Sequence, residues 1–97
     1  MAKGGRPYKC YKAIDFDMDT VRLECDGFYS DYRQVYADIR KFMNANEFEH
    51  RQGSVYNSRI MLSEMDILHL AIRFKSTFSW ASTCVKSMDV TDISNLH

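Results

Sequence analysis

Two segments whose apolar residues recur at three- and four-residue steps constrain the fold of this chain more than any other feature. In the first, Ser30 is suited to cap a helix, Asp31 matches its positive start, and Asn46 can take the left-handed conformation that closes it. One apolar stripe runs between them: Tyr32, Val35, Tyr36, Ile39, Phe42 and Met43. The spacing predicts an amphipathic helix with one buried face.

The second helical segment carries its own start signal. Ser63 is a natural cap and Asp66 can complete a capping box, while Leu62 and Ile67 are placed to form a hydrophobic staple. The stripe predicted to be buried comprises Ile67, Leu70, Ala71, Phe74 and Phe78, with Leu68 and Ile72 widening it.

Short segments of strand character precede, separate and follow the two helices. Residues 10–18 predict a strand that is buried on both sides, and residues 82–90 predict the last strand. Between the helices, residues 48–58 read as one strand, in which Gly53 indicates a bulge or a tight reversal. A full hairpin is hard to fit here, because the next helix begins so soon. This order predicts an α+β, ferredoxin-like two-layer sandwich, an antiparallel sheet with two helices on one face.

The chain has 97 residues and 45% hydrophobic residues, enough for one core. Residues 1–9 are polar and contain Gly4, Gly5 and Pro7, which predicts a flexible basic arm before a single domain over residues 10–97. A small chain with this apolar content often covers surplus surface in a dimer, so we expect a homodimer.

Thirteen basic and thirteen acidic residues cancel, which argues mildly against a dedicated nucleic-acid binder. The basic residues near the start could follow a phosphate backbone, although a solubilising tail is the simpler account: Lys3, Arg6, Lys9 and Lys12. Three cysteines without a Cys-x-x-Cys pair predict reduced thiols in the cytoplasm, and no segment has the length or apolarity to cross a membrane.

Acidic residues gather where the first strand ends. Asp15, Asp17 and Asp19 alternate with other residues, so along a strand they share one face about 6.5 Å apart. Clustered carboxylates repel one another and invite a cation such as Mg²⁺, which takes one or two carboxylates and keeps several waters. A solvated strand end is the alternative, and the pattern alone favours it.

Three stretches in this order resemble the virulence-associated protein D (VapD) family over about seventy residues: Ala13-Ile14-Asp15-Phe16-Asp17, Tyr32-x-x-x-Tyr36-x-Asp38-Ile39-Arg40 and Gln52-Gly53-Ser54-Val55-Tyr56. The family is described as a ferredoxin-like homodimer with endoribonuclease activity, often the toxin of a toxin–antitoxin pair. RNA and an antitoxin protein are therefore the implied partners. The family's basic run before the last strand is replaced here by residues 83–87, where Lys86 is the single basic residue.

The resemblance implies that Asp17 occupies the position of the catalytic Asp, where it would hold a metal ion or the attacking hydroxyl. Gln52, Ser54 and Tyr56 alternate along their predicted strand, and on one face they would contact the RNA backbone. A structural role for Ser54 and Tyr56 is the favoured alternative for each. His50 is available for acid–base chemistry, but a packing role is the commoner one for such a histidine.

Two functions of different classes remain open at this point. The first is a VapD-like endoribonuclease that works as a homodimer. The second is a catalytically inactive dimer of the same fold that binds nucleic acid or a protein partner, which the loss of the basic run favours.

Overall fold

The computed structural model describes residues 8–19, 21–22 and 32–93. Most of the predicted arm, the helix cap at Ser30 and Asp31, and Cys25 lie outside these ranges, so those predictions stay untested. Tyr8 and Lys9 lie inside them and belong to no helix or strand. Cys10 and Cys84 are buried thiols.

Within these ranges the elements follow the predicted order. They are β1 (Tyr11–Met18), α1 (Tyr32–Ala45), β2 (Phe48–Gln52), β3 (Val55–Ser58), α2 (Glu64–Thr77), α3 (Ala81–Cys84) and β4 (Val85–Ile93). The strands form one antiparallel sheet in the order β2-β3-β1-β4. This arrangement is the ferredoxin-like α+β sandwich that the sequence predicts. None of the described helices is long and apolar enough to span a membrane.

Residues 48–58 form a hairpin rather than a single strand. Gly53 lies in the turn between β2 and β3 with a φ of 51°, a left-handed conformation that glycine adopts without steric cost. The tight reversal indicated by Gly53 is therefore confirmed. The expectation that a full hairpin is hard to fit is wrong, because two residues suffice for the turn and β3 is only four residues long. A second left-handed residue, Glu47 with a φ of 70°, follows α1. The predicted closure at Asn46 is thus one residue early; its side-chain amide instead donates to the Phe42 carbonyl at 2.8 Å.

The core lies between one face of the sheet and both long helices. Phe16 of β1 stacks on Phe74 of α2 with ring centroids 5.1 Å apart and meets the edge of Tyr56 at 5.9 Å. The cluster also contains Val35, Ile39 and Met43 of α1, all buried. Because residues of α1 and α2 pack on the same side of β1, the other side of the sheet is left open.

Helix α2 begins as predicted. Ser63 Oγ accepts from the Asp66 N–H at 3.1 Å, and Asp66 Oδ2 accepts from the Ser63 N–H at 2.9 Å, completing the capping box. The hydrogen bond that the carboxylate accepts from the Ser63 N–H is the largest cause that lowers the pKa of Asp66. The predicted widening of the stripe is wrong, because the side chains of Leu68 and Ile72 are 52% and 53% exposed.

The last strand begins three residues later than predicted. A short helix, α3, takes the start of the predicted segment and buries Ala81 and Cys84 against the core. Strand β4 then pairs with β1 along its whole length, from Met18 opposite Val85 to Tyr11 opposite Ile93. Apolar and polar residues alternate poorly over residues 82–90, because β4 is an edge strand with mostly exposed side chains.

Lys12 does not belong to a basic arm. Its side chain is 1% exposed on the helix side of β1, and its Nζ lies 2.7 Å from Asp92 Oδ1 and 3.4 Å from Cys10 Sγ. The hydrogen bond to Asp92 raises the pKa of Lys12 despite the opposing effect of burial. A lysine in this position holds β1 to β4 and is not available to a phosphate backbone.

Candidate active site on the open face of the sheet

Asp15 and Asp17 project from the side of β1 that no helix covers. Side chains alternate along a strand, so the buried Ile14 and Phe16 point to the helices while the two carboxylates point away. Tyr11 and Ala13, on the same side as the carboxylates, are half-buried. The prediction of a strand buried on both sides is therefore wrong for the open side, where the acidic half is exposed.

The neighbouring strands surround this pair with polar groups. Asp17 lies opposite Ser87 of β4, while Asp15 lies opposite Asp89 of β4 and Val55 of β3. Directly opposed side chains in an antiparallel pair have Cβ atoms about 5 Å apart, so Asp15 and Asp89 repel each other. Ser54 in the hairpin turn donates its hydroxyl to Asp15 Oδ1 at 2.6 Å, which fixes one carboxylate of the group.

The ladder between β1 and β4 is irregular beside Asp17. Asp17 pairs with Ser87 but Met18 pairs with Val85, so Lys86 is an extra residue in β4 at this point. Such bulges re-aim side chains and are frequent beside functional sites. The bulge places the exposed Lys86, the one basic residue of segment 83–87, next in sequence to the residue opposite Asp17.

Asp19 does not continue the row of acids. The strand ends at Met18, and the backbone N–H of Asp19 donates to the Cys84 carbonyl at 2.7 Å. Its Oδ1 accepts the backbone N–H of Arg22 at 3.0 Å, so this carboxylate closes a local turn. The prediction that three acids share one face of the strand is therefore confirmed for Asp15 and Asp17 and is wrong for Asp19.

The hairpin separates the three residues that the sequence places on one strand face. Gln52 is exposed at the end of β2, Ser54 lies in the turn beside Asp15, and Tyr56 is 3% exposed in the core. Burial raises the pKa of the Tyr56 hydroxyl. The prediction that Gln52, Ser54 and Tyr56 share one face of a strand is thus wrong. The structural role that the sequence favours for Ser54 and Tyr56 agrees with these contacts.

His50 lies on the helix side of the hairpin, away from the carboxylates. Its Nε2 is 2.7 Å from the Gly53 carbonyl, and its ring meets Tyr56 edge-on at 5.2 Å. These contacts give it the packing role that the sequence favours.

A metal ion would find few ligands in one chain. Within residues 8–19, 21–22 and 32–93, no three His, Cys, Asp or Glu side chains gather closely enough to hold one. One or two carboxylates with waters in the remaining positions suffice for Mg²⁺, and Asp17 with Asp15 offers that donor set.

Asp89 and Ser87 are the residues of this site that sequence reasoning missed. Their position depends on the register of β4 against β1, which here joins residues seventy or more positions apart. No local pattern in residues 85–93 marks them.

The fold and the exposed carboxylates define a small ferredoxin-like α+β domain with an acidic centre on its open sheet face. The chain belongs to the VapD family: it is 30% identical over 76 residues to "Endoribonuclease VapD 2" of Riemerella anatipestifer, covering 78% of this chain and 81% of that protein. It is also 46% identical over 44 residues to "Endoribonuclease VapD homolog" of Helicobacter pylori, covering 45% of this chain and 44% of that protein. No protein-family model matches the chain.

Proposed function

We propose that this chain is a cytoplasmic VapD-like endoribonuclease that cleaves RNA as a homodimer with Asp17 as its catalytic residue. One observation carries the proposal: in a relative of two proteins named as endoribonucleases, Asp17 is an exposed carboxylate beside a bulge on the open sheet face. A carboxylate that served only to keep the strand soluble would need neither the bulge nor the flanking polar groups.

In this proposal Asp17 orients the hydroxyl that attacks the phosphorus and accepts its proton, while the bond from phosphorus to the leaving ribose oxygen breaks and that oxygen takes a proton from water. Asp15, held by Ser54, keeps a second negative charge nearby without itself reacting. A Mg²⁺ ion bound at Asp17 would supply positive charge to the phosphate oxygens. When no metal is bound, the positive charge of Lys86 at the bulge would offset the negative charge of the phosphate.

The open face of the sheet supports the homodimer of this proposal. The half-buried apolar residues there extend from Asp15 towards the start of β1, and a second copy would cover them: Tyr11, Ala13, Val55 and Ile93. A two-fold axis on this face would bring two Asp17 carboxylates towards one RNA strand. An antitoxin protein that blocks the site would bind the same apolar surface.

The decisive variant is Asp17→Asn, which removes the charge and keeps the size. We expect cleavage of a labelled single-stranded RNA to fall at least about a hundredfold, the usual contribution of a positioned acid or base. Glu64→Gln is the control, since it removes one negative charge from an exposed position of α2 outside the site and should retain activity within about threefold. Purified Asp17→Asn protein that cleaves RNA as fast as the wild type would refute the mechanism.

Metal dependence is tested on the same preparation. If Asp17 works through Mg²⁺, EDTA should abolish cleavage and added Mg²⁺ should restore it in the wild type but not in Asp17→Asn. Unchanged cleavage in EDTA would assign Asp17 to the hydroxyl alone.

The second candidate is an inactive dimer that binds RNA or a protein partner. Lys86 as the single basic residue of segment 83–87 is the observation that favours it, because little positive charge remains there to stabilise a cleaved phosphate. Wild-type protein that binds RNA but leaves it intact with and without Mg²⁺ would establish this candidate over the first.

A further inference from the structure

A second charged surface lies between α1 and β2, away from the acidic pair. It is a groove of about 550 Å³, and Arg33, Tyr36, Arg40 and Lys41 of α1 line it together with Glu49 and His50 of β2. Three cations thus face one carboxylate in a chain whose net charge is zero. We call these six residues the basic groove.

The cations of the basic groove are spaced along one helix face. Arg33, Tyr36 and Arg40 follow one another at three- and four-residue steps, so they project on the same side of α1. Arg33 and Arg40 are seven residues apart, about 10.5 Å along the helix axis, with the half-buried Tyr36 between them. Positive charges alternate with an aromatic ring over the length of a few nucleotides.

The core holds part of this surface in place. Arg40 is exposed, yet its positive charge acts on the buried Tyr56 hydroxyl and counteracts the rise in the pKa of Tyr56 that burial causes. His50 is fixed on the other side by the Gly53 carbonyl and the Tyr56 ring. A guanidinium and an imidazole anchored to one core tyrosine lose less freedom on binding than free surface side chains do.

The groove also leads to the acidic pair through the hairpin turn. His50 contacts the Gly53 carbonyl, the next residue Ser54 bonds Asp15, and the Ser54 carbonyl accepts the Phe16 N–H at 3.2 Å. A strand of nucleic acid leaving the groove over this turn would reach the open face at Asp15 and Asp17.

We infer that the basic groove binds single-stranded RNA, with Arg33, Arg40 and Lys41 on phosphates and a base stacked on Tyr36. Guanidinium groups suit phosphate oxygens, and an aromatic ring between cations is typical of surfaces that follow a single strand. An anionic membrane would require more apolar surface than one tyrosine provides. The inference rests on the proposed function, since it assigns the surface that feeds substrate to Asp17.

The test measures binding of a fluorescein-labelled single-stranded RNA of about twelve nucleotides by anisotropy, over a range of salt. For Arg33→Gln/Arg40→Gln we expect about a tenfold loss of affinity. The negative slope of log K against log salt concentration should become shallower by about 1.4, or about 0.7 for each lost phosphate contact. In cleavage assays KM should rise while kcat is kept, because the variant leaves Asp17 untouched.

Two further variants control for charge and for folding. Arg73→Gln/Lys75→Gln removes the same charge from exposed positions of α2 and should change affinity less than about twofold. Arg33→Gln/Lys41→Gln spares the contact between Arg40 and Tyr56 and should still weaken binding, so a folding defect cannot explain the result.

The outcomes separate this inference from the proposed function. Groove variants that bind RNA as tightly as the α2 control would overturn the inference, even if Asp17→Asn abolishes cleavage. Weakened binding together with an active Asp17→Asn protein would support the groove and refute the catalytic role. Polyglutamate that competes with RNA at equal charge concentration would show a site for acidic protein instead and overturn the inference, as would wild-type protein that binds no RNA.

Discussion

The two sides of β1 differ sharply in burial and in charge. On the helix side Ile14 and Phe16 are buried among the helices, whereas on the open side Asp15 and Asp17 are exposed. Burial fixes the register of the strand, because a slip of one residue would bury the carboxylates and expose the rings. The covered side therefore specifies the fold, and the open side is free to carry the chemistry.

Phe16→Ala should produce the largest effect of this comparison. The ring contacts Tyr56 and Phe74, and its removal leaves a cavity between the sheet and α2. We expect the free energy of unfolding to fall by about 3–5 kcal/mol, measured by urea denaturation. Asp17 is the adjacent residue and lies on the other side of the strand. Asp17→Asn should change the free energy of unfolding by less than about 0.5 kcal/mol. Similar losses for both variants would contradict the division between the two sides.

Lys12 is the exception on the covered side, and Asp92 is what makes its burial tolerable. The carboxylate hydrogen-bonds the buried ammonium at 2.7 Å, which lowers the pKa of Asp92. Asp92→Asn should therefore reduce the thermal midpoint at pH 7, by less than Phe16→Ala does. A lowered pKa in the folded protein stabilises it above the ordinary value of 3.8. The deficit of the variant should thus vanish as the pH falls below that value.

A double variant checks the cause of that effect. In Lys12→Met/Asp92→Asn no charge is left buried without its partner, so much of the lost stability should return. If the double variant is less stable than the sum of its single changes predicts, the ion pair does not explain the stability that Asp92 provides.

Local signals explain which parts of the fold the sequence could predict. The capping box of α2 depends on Ser63 and Asp66, three residues apart, and the alternation of β1 depends on adjacent residues, so both are visible in the chain. Gly53 marks the reversal for the same reason, although the sequence alone does not decide between a bulge and a hairpin. The family resemblance added the identity of the candidate catalytic residue, Asp17.

Contacts between distant residues explain the errors. Lys12 meets Asp92 across eighty positions, and Asp15 meets Asp89 only because β4 pairs with β1 in one particular register. The cations of α1 are visible in the sequence, but their relation to His50 and Tyr56 requires the packing of the hairpin against that helix. Burial of a lysine and the assembly of the basic groove are therefore properties of the folded chain.

The smallest expected effect lies on the open side, where like charges oppose each other. Asp89 faces Asp15 across the β1–β4 ladder, so Asp89→Asn should relieve repulsion and raise the free energy of unfolding by a few tenths of a kcal/mol at low salt. Because salt screens charges on an exposed face, the gain should shrink in 0.5–1 M NaCl. Urea denaturation at the two salt concentrations measures it. A stability loss that does not depend on salt would mean that Asp89 makes a favourable contact, and that the open side also contributes to the fold.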